Sequence, residues 1–270
     1  MLVDGRPFDL ESYTITGKSY IKPRDFAKAL DGTAAQFDVA WDGAKKVFNL
    51  TTGKKYTPIG GELSPGDGAA RSALPSTSGI RINGLKTEFL PVSIAGSDYF
   101  ILDELAALVG VSAGRDAQSK AINLNTAAAD KKRMIYRIIT RVNDRNAIGI
   151  SGSSTESGAK AITWDNDFTV KVQEFAFVPV GDKYCILSVH SGKALTAENK
   201  KGTVVSLQPY NGSDGQLFMI EEALEDFVSI KTSFGFYLGV SGGNRQRGTP
   251  IITWDSTDNS SQHFRLTRID

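Results

Sequence analysis

Cysteine occurs once, at Cys185, so the chain can form no internal disulfide and no multi-cysteine zinc site. With no disulfide to read, the redox compartment stays open. Histidine occurs twice, at His190 and His263, in different parts of the chain, which excludes a multi-histidine metal site. An excess of one charge is also missing: 31 Lys and Arg face 30 Asp and Glu, and residues 1–127 (14 against 14) balance as closely as the remainder (17 against 16). A nucleic-acid partner recognised by bulk positive charge is therefore not expected. No apolar run approaches the roughly 18 residues of a membrane-spanning helix. Met1 to Asp9 already carries Asp4, Arg6 and Asp9, which is not an intact secretory signal, so a secreted form is expected to be a processed chain or a fragment.

What is abundant is glycine, 27 of 270 residues, recurring with Asn, Asp and Ser in short clusters, the pattern of turn-rich β structure. The length suits two ordinary domains at about 150 residues each, and two different repeat systems divide it. In the first half, Ile15-Thr-Gly17-Lys-Ser-Tyr20-Ile21 matches Ile94-Ala-Gly96-Ser-Asp-Tyr99-Phe100, and Val3-Asp4-Gly5 matches Ile82-Asn83-Gly84, both 79 residues on. Phe48-Asn49-Leu50 pairs with Ile122-Asn123-Leu124 at 74. Each copy reads as a strand, an Asp-Gly or Asn-Gly turn, a second strand through the Tyr, a short helix and a closing strand. The helices are expected at Pro23 to Leu30 and Leu102 to Val109, with Asp25, Asp103 and Glu104 favourably placed in their first turns. Thr57 to Gly79, rich in Pro, Gly, Ser and Ala, reads as a long surface loop with the composition of a mobile segment.

The second half carries a threefold pattern. Gln173-Glu-Phe175, Gln216-Leu-Phe218 and Gln262-His-Phe264 lie 43 and 46 residues apart. Strand-like runs begin at Tyr136, Tyr184 and Phe227. Ile148, Leu195 and Leu238 match, as do the turn glycines Gly158, Gly202 and Gly248. After those turns, Ala161-Ile-Thr-Trp164-Asp165 and Ile251-Ile-Thr-Trp254-Asp255 align with Val204-Val-Ser-Leu207-Gln208. No single copy could bury its apolar face, so three four-strand units are expected to close on one another. The boundary falls near Thr126 to Lys132, giving domains 1–127 and 134–270 in a mostly β chain.

Over Met134 to Arg268 this half resembles the ricin-type β-trefoil lectin family, whose mark is three repeats each ending in Gln-x-aromatic. Over Leu2 to Asn125 the first half resembles the repeat domain named after the N-terminal domain of copper amine oxidases, a stalk in bacterial extracellular proteins. That likeness rests on Asp4-Gly5, Gly17, Tyr20, Arg24-Asp25 and Trp41-Asp42. In its second copy Trp41 is replaced by Arg115 and Arg24 by Asp103, so that copy is expected to be scaffold alone. Copper oxidation needs a histidine cluster, and the first 189 residues hold no histidine; no metal, quinone or other cofactor is expected. The resemblance implies a duplicated small α+β domain followed by a β-trefoil, secreted or at a bacterial cell surface.

In the Gln-x-Phe elements, the Phe is expected in the shared core and the Gln amide on backbone groups. Trp164 and Trp254 hold equivalent positions, each followed by Asp, and an aromatic platform beside a carboxylate suits the apolar face and hydroxyl rim of a sugar. The candidate carbohydrate-binding residues are Trp164, Asp165, Asp167, Tyr210, Trp254, Asp255 and Asn259. In the second repeat Leu207 takes the Trp position, with Tyr210 three residues on. The alternative is that both Trp residues cap the barrel while Asp165 and Asp255 form local turns. Ricin-type sites usually carry Asp after the early-strand Leu and Asn before the Gln. Here those positions are Gly149, Thr196 and Gly239, then Val172, Gly215 and Ser261, so polar groups must come from elsewhere, such as Asn166 or Asp258.

The string Arg133, Arg137, Arg141, Arg145, joined by Lys131 and Lys132, reads as a solvated edge rather than a cationic helix face. His190 reads as a turn residue, His263 as pointing away from the core, and Cys185 as a partly buried thiol. Enzyme signatures fail: Gly17-Lys18-Ser19 lacks the earlier glycine of a phosphate loop, no Gly-x-Ser-x-Gly occurs, and Asp165-Asn-Asp167 lacks the rest of a calcium loop. Glu221, Glu222, Glu225 and Asp226 read as a loop cluster. The expectation is a non-catalytic glycan-binding protein. One alternative is a structural or adhesive surface component that uses the trefoil for self-association or protein contacts; another is an accessory fragment of a larger hydrolase.

Overall fold

The computed structural model describes residues 1–116, 121–127, 134–224 and 226–269. Lys131, Lys132 and Arg133 of the basic string, Glu225 of the carboxylate cluster and residues 128–132 of the expected boundary lie outside them. The structure is mostly β, and contacts divide the chain into two units between residues 132 and 133.

In the first unit, the helices occupy Pro23–Leu30 and Leu102–Val109, bounded by Pro at the first turn of one and by Gly110 in the left-handed region after the other. A central sheet pairs Lys18–Ile21 with Ser97–Ile101 antiparallel, so the two matching Tyr-bearing strands lie side by side. The closing strands cross over: Val47–Thr52 pairs in parallel with Gly79–Ile82, and Ile122–Asn125 with Leu2–Val3. The turn residues secure both crossings. Asp4 Oδ1 accepts from Thr126 N (2.9 Å), and Asn83 Oδ1 accepts from Thr52 N (3.0 Å). Ile21, Phe26, Leu30, Phe37, Ile80, Ile82 and Leu105 are fully buried between these layers.

In the second unit, six strands close a barrel: Met134–Thr140, Phe175–Val180, Lys183–Ser188, Leu217–Leu224, Phe227–Thr232 and Phe264–Arg268, the last pairing back to the first. Closure leaves the barrel no free edge. Three further hairpins, Asn146–Ile150 with Ala161–Asp165, Ala194–Thr196 with Ser206–Gln208, and Tyr237–Val240 with Ile251–Trp254, touch one another through single bridges. This is the β-trefoil arrangement. Matching positions fill one core: Ile138, Ile186 and Ile230; Ile148, Leu195 and Leu238; Phe175, Phe218 and Phe264 are all fully buried.

Several expectations are corrected. Arg137 is no solvated edge: it is fully buried, because residues 170–174 cover the outer face of its strand. Its guanidinium donates to Gln173 Oε1 (2.8 Å) and Val170 O (2.9 Å) and stands 4.8 Å from the Phe168 ring centre. His263 does not point outward either. It is buried with both ring nitrogens engaged, Nδ1 3.0 Å from Arg141 Nη1 and Nε2 3.0 Å from Asp258 Oδ1, which makes its burial tolerable. Cys185 is wholly rather than partly buried, and burial pushes its thiol up to about 12. Glu221 and Glu222 lie on the strand Leu217–Leu224, not in a loop, and Glu221 accepts from Lys231 and Tyr237. The segment from Thr57 contains the strand Ala73–Pro75 and is anchored by Glu62, which accepts from Tyr56 Oη (2.8 Å) and Ile59 N (2.8 Å). His190 sits in a turn as expected.

Glu11 ties three separate segments of the first unit. It accepts from Lys22 Nζ (2.7 Å), Tyr99 Oη (2.6 Å) and Tyr13 Oη (2.8 Å), and these donors, Lys22 foremost, hold its carboxyl at about 2. A carboxyl lowered in the folded state stabilises above its ordinary range, and that contribution is lost as pH falls through about 2. Urea unfolding of Glu11→Gln should give a loss on the order of 3 kcal/mol at neutral pH that shrinks towards zero near the acid end. A pH-independent difference would contradict this account.

Candidate functional site

Each repeat ends in a buried glutamine whose amide grips the loop before it. Gln173 Oε1 accepts from Asp167 N (2.9 Å) and its Nε2 donates to Asp165 O (2.8 Å). Gln216 makes the same pair with Asn211 N (2.8 Å) and Pro209 O (2.9 Å), and Gln262 with Thr257 N (2.8 Å) and Asp255 O (2.8 Å). Gly149 and Gly239 lie beneath two of these amides, where an added Cβ would stand 3.2 Å from the glutamine Cγ. At the matching place in the second repeat Thr196 does carry a Cβ, and its hydroxyl accepts from Gln216 Nε2 (3.1 Å).

The residue ahead of each Trp positions a cation over the ring. Thr163 is fully buried; its hydroxyl donates to Gln246 O (3.0 Å), and its carbonyl accepts from Gly248 N (2.6 Å). Thr253 repeats this with Lys200 O (2.7 Å) and Gly202 N (2.7 Å). The turn of the adjoining repeat is thereby held against the indole. Arg247 Cζ stands 5.2 Å from the Trp164 ring centre and Lys201 Nζ 4.4 Å from that of Trp254. The same cations pair with the following carboxylates, Arg247 with Asp165 (3.0 Å) and Lys201 with Asp255.

Both indoles remain open to solvent, Trp164 at 45% and Trp254 at 40% exposure, so neither is sealed into the barrel. Each borders a cleft. One, of about 420 Å³, is lined by Gly149, Ile150, Gly152, Ser153, Ile162, Trp164, Asp165, Asp167 and Gln173. The other, of about 630 Å³, is lined by Gly239, Val240, Gly242, Gly243, Ile252, Trp254, Thr257, Asn259 and Gln262. The two are threefold counterparts.

The second repeat differs in backbone. Ala197 N donates to Gly215 O (2.8 Å), and a Cβ on Gly215 would lie 2.5 Å from Ala197 O, so the two loops close on each other where the other repeats are open. The residue equivalent to Trp164 and Trp254 is Gln208, not Leu207. Gly158 N bonds Leu207 O just as Gly202 and Gly248 bond Thr253 and Thr163, and Ala194 faces Gln208 as Ala147 faces Trp164. Leu207 thus replaces the anchoring threonine. Counting three residues on from Gly158, Gly202 and Gly248 would have given this register.

Of the candidate residues, Trp164, Asp165 and Asp167 come together in one cleft, and Trp254 and Asn259 in the other. Asp255 follows Trp254 but is engaged by Lys201. Tyr210, 48% exposed, stands alone in the second repeat. Asp167 accepts from Thr169 Oγ1 (2.6 Å) and N (2.8 Å), which lowers its carboxyl, and Asn259 Oδ1 accepts from Ser261 N (2.9 Å). Sequence reasoning missed Arg247 and Lys201; their signal was a basic residue before the turn glycine in two repeats and Ser157 in the third. Among the described residues no group of three His, Cys, Asp or Glu could hold a metal ion.

Residues 171–254 match the family model for a ricin-type beta-trefoil lectin domain-like sequence. No curated protein matches the chain. Among solved structures, the chain is similar to the designed 3-fold symmetric protein ThreeFoil, with 23% identity and TM-score 0.47 over 50% of this chain and 99% of that one. It is similar to the C-half of the earthworm R-type lectin, solved with GalNAc, with 18% identity and TM-score 0.43 over 50% and 99%. It is also similar to the Macrolepiota procera ricin B-like lectin, solved with lactose, with 22% identity and TM-score 0.43 over 53% and 100%. The family match lies wholly within the second unit, whose residues 171–254 are thus similar to a ricin-type beta-trefoil lectin domain.

Gln262→Leu, which strands Thr257 N and Asp255 O, should cost about 2 kcal/mol or more in urea unfolding. Lys201→Ala should change stability by less than about 1 kcal/mol, since an exposed ion pair contributes little. In a chain whose only indole is Trp254, the same change should raise acrylamide quenching; unaltered quenching would show that the ammonium does not shield the ring.

Proposed function

We propose that this chain is a non-catalytic, lectin-like carbohydrate-binding protein that holds saccharide in the two equivalent trefoil clefts, on Trp164 and Trp254. The observation that carries this reading is the pair of exposed indoles at threefold-matched clefts. An indole kept at the surface rather than in the core offers a flat apolar face, and the backbone and side-chain polar groups around it can meet hydroxyls. In the first cleft Asp165 and Asp167 supply acceptors, and in the third Asn259 and Thr257 do. The family match over residues 171–254 supports the class, as do the glycans named with the earthworm and Macrolepiota lectins. Tyr210 is a separate, lesser contact in the second repeat.

Two equivalent clefts on one domain suit a repetitive glycan, where a second contact raises weak single-site affinity through effective concentration. The first unit is read as a duplicated α+β, stalk-like domain of the copper amine oxidase N-terminal type, in a protein secreted or displayed at a bacterial surface. Its Asp4/Asn83 and Tyr20/Tyr99 correspondences support the duplication.

Glycan-array signal should fall at least tenfold in the Trp164→Ala, Trp254→Ala double variant with an unchanged thermal midpoint, and each single variant should retain weaker binding. Loss of folding in the double variant would favour a capping role for the rings. Ordered oligomers by size exclusion together with no glycan signal would favour the assembly role.

A further inference from the structure

The sequence holds three tryptophans, and the third, Trp41, is also kept at the surface, 42% exposed, in the first copy of the early repeat. It lies on the strand Phe37–Asp42, paired across to Phe48, and the two rings pack 4.5 Å apart between centres. Together they border a cleft of about 500 Å³ within the first unit. Across from them stand Arg24 and Asp25 at the start of the helix Pro23–Leu30, and Asp98 on the strand Ser97–Ile101.

Asp25 is the unusual group. Only 3% of it is exposed, and its one hydrogen bond among the described residues runs from Leu63 N to Oδ1 (3.0 Å), leaving Oδ2 without a protein donor. A carboxyl oxygen at a cleft wall with no protein donor is placed to accept from a ligand. Burial also raises its carboxyl, with Leu63 N opposing. The loop at residues 59–62 forms another wall and is held in place by Glu62, as described above.

The matching positions of the second sequence copy carry different groups. There Trp41 is replaced by Arg115, Arg24 by Asp103, and Asp98 by Ser19, and the Arg115 guanidinium reaches Ser19 directly. The platform exists in one copy and its counterpart is bridged by a side chain.

We propose that the Trp41 cleft is a second saccharide-binding site, separate from the trefoil, in which the Trp41 ring takes the apolar sugar face, Asp25 and Asp98 accept from hydroxyls and Arg24 donates. The charge balance selects a neutral sugar: Arg24 and Lys22 face Asp25, Glu62 and Asp98, and Lys22 is already bound to Glu11 (2.7 Å). An anionic ligand would meet an excess of carboxylates. The site stands whether or not the trefoil clefts hold sugar.

The 270-residue Trp164→Phe, Trp254→Phe chain leaves Trp41 as the sole indole. Titration with cellohexaose, xylohexaose, mannohexaose and chitohexaose should change its emission saturably for at least one of them. Arg24→Ala in that background should weaken the response at least tenfold without altering the far-ultraviolet circular dichroism. Saturation-transfer NMR in the same background gives a second readout, lost in Trp41→Leu. Flat emission together with transfer unchanged in Trp41→Leu would overturn the proposal, as would an emission change that Arg24→Ala leaves intact. Loss of the Trp164/Trp254 sites alone cannot produce either pattern.

Discussion

The second unit depends on a carboxamide that is both donor and acceptor. In each repeat the glutamine reaches out of the buried end of the barrel and takes hold of two backbone groups in the loop that follows the third strand. An irregular loop cannot satisfy its own peptide groups, and the side-chain amide supplies the partners that a β ladder would. Because the gripped carbonyl belongs to the residue directly after Trp164 or Trp254, the position of each indole follows from the glutamine. The neighbouring Phe, fully buried, prevents the glutamine from shifting. Asp or Glu would lack the amide donor, and Leu would lack both functions.

Threefold symmetry sets the frame, and departures from it decide where clefts open. Three changes coincide in the second repeat. The segment from Thr196 to the turn glycine Gly202 is three residues shorter than its counterparts from Gly149 to Gly158 and from Gly239 to Gly248. Gly215 lets the backbone of the glutamine loop meet Ala197. Leu207 replaces the threonine that elsewhere fixes the adjoining turn. With the cleft closed by main chain, an indole at Gln208 would have no concavity to border.

Much of this was legible in the sequence because it depends on local chemistry or periodic burial. Pro23 and Gly110 mark helix ends, Asp4-Gly5 and Asn83-Gly84 mark matching turns, and the Gln-x-Phe spacing marks the repeats. What escaped was decided by partners distant in sequence. Arg137 looked solvated because a strand's outer face is usually wet, yet residues 170–174 fold across it and provide acceptors. His263 looked outward-facing by alternation, yet Arg141 and Asp258 complete its two nitrogens. The one-residue slip at Leu207 arose from aligning Val204 by hydrophobicity when the turn glycine set the register. A slip of one moves a side chain to the other face of a strand, so the alignment put a core leucine where a surface glutamine belongs.

The cations over the two trefoil indoles constrain what such a cleft can use. Arg247 and Lys201 each serve two neighbours, the ring face and the next carboxylate, so Asp165 and Asp255 are partly neutralised before any ligand arrives. Both pairs are exposed and cost little to break, but a carboxylate already engaged is a poorer acceptor for a sugar hydroxyl than a free one. The Trp41 cleft is built the other way. No cation covers its indole among the described residues, and one oxygen of the Asp25 carboxyl has no protein donor there. A saccharide in the proposed trefoil sites would then lean on the exposed part of the ring, on Asp167 in the first cleft and on neutral groups such as Asn259 and Thr257 in the other, whereas the site proposed in the first unit would offer a prearranged acceptor. Two solutions to holding a flat aromatic at a protein surface thus occur in one chain, one braced by charge and the other by a neighbouring phenylalanine.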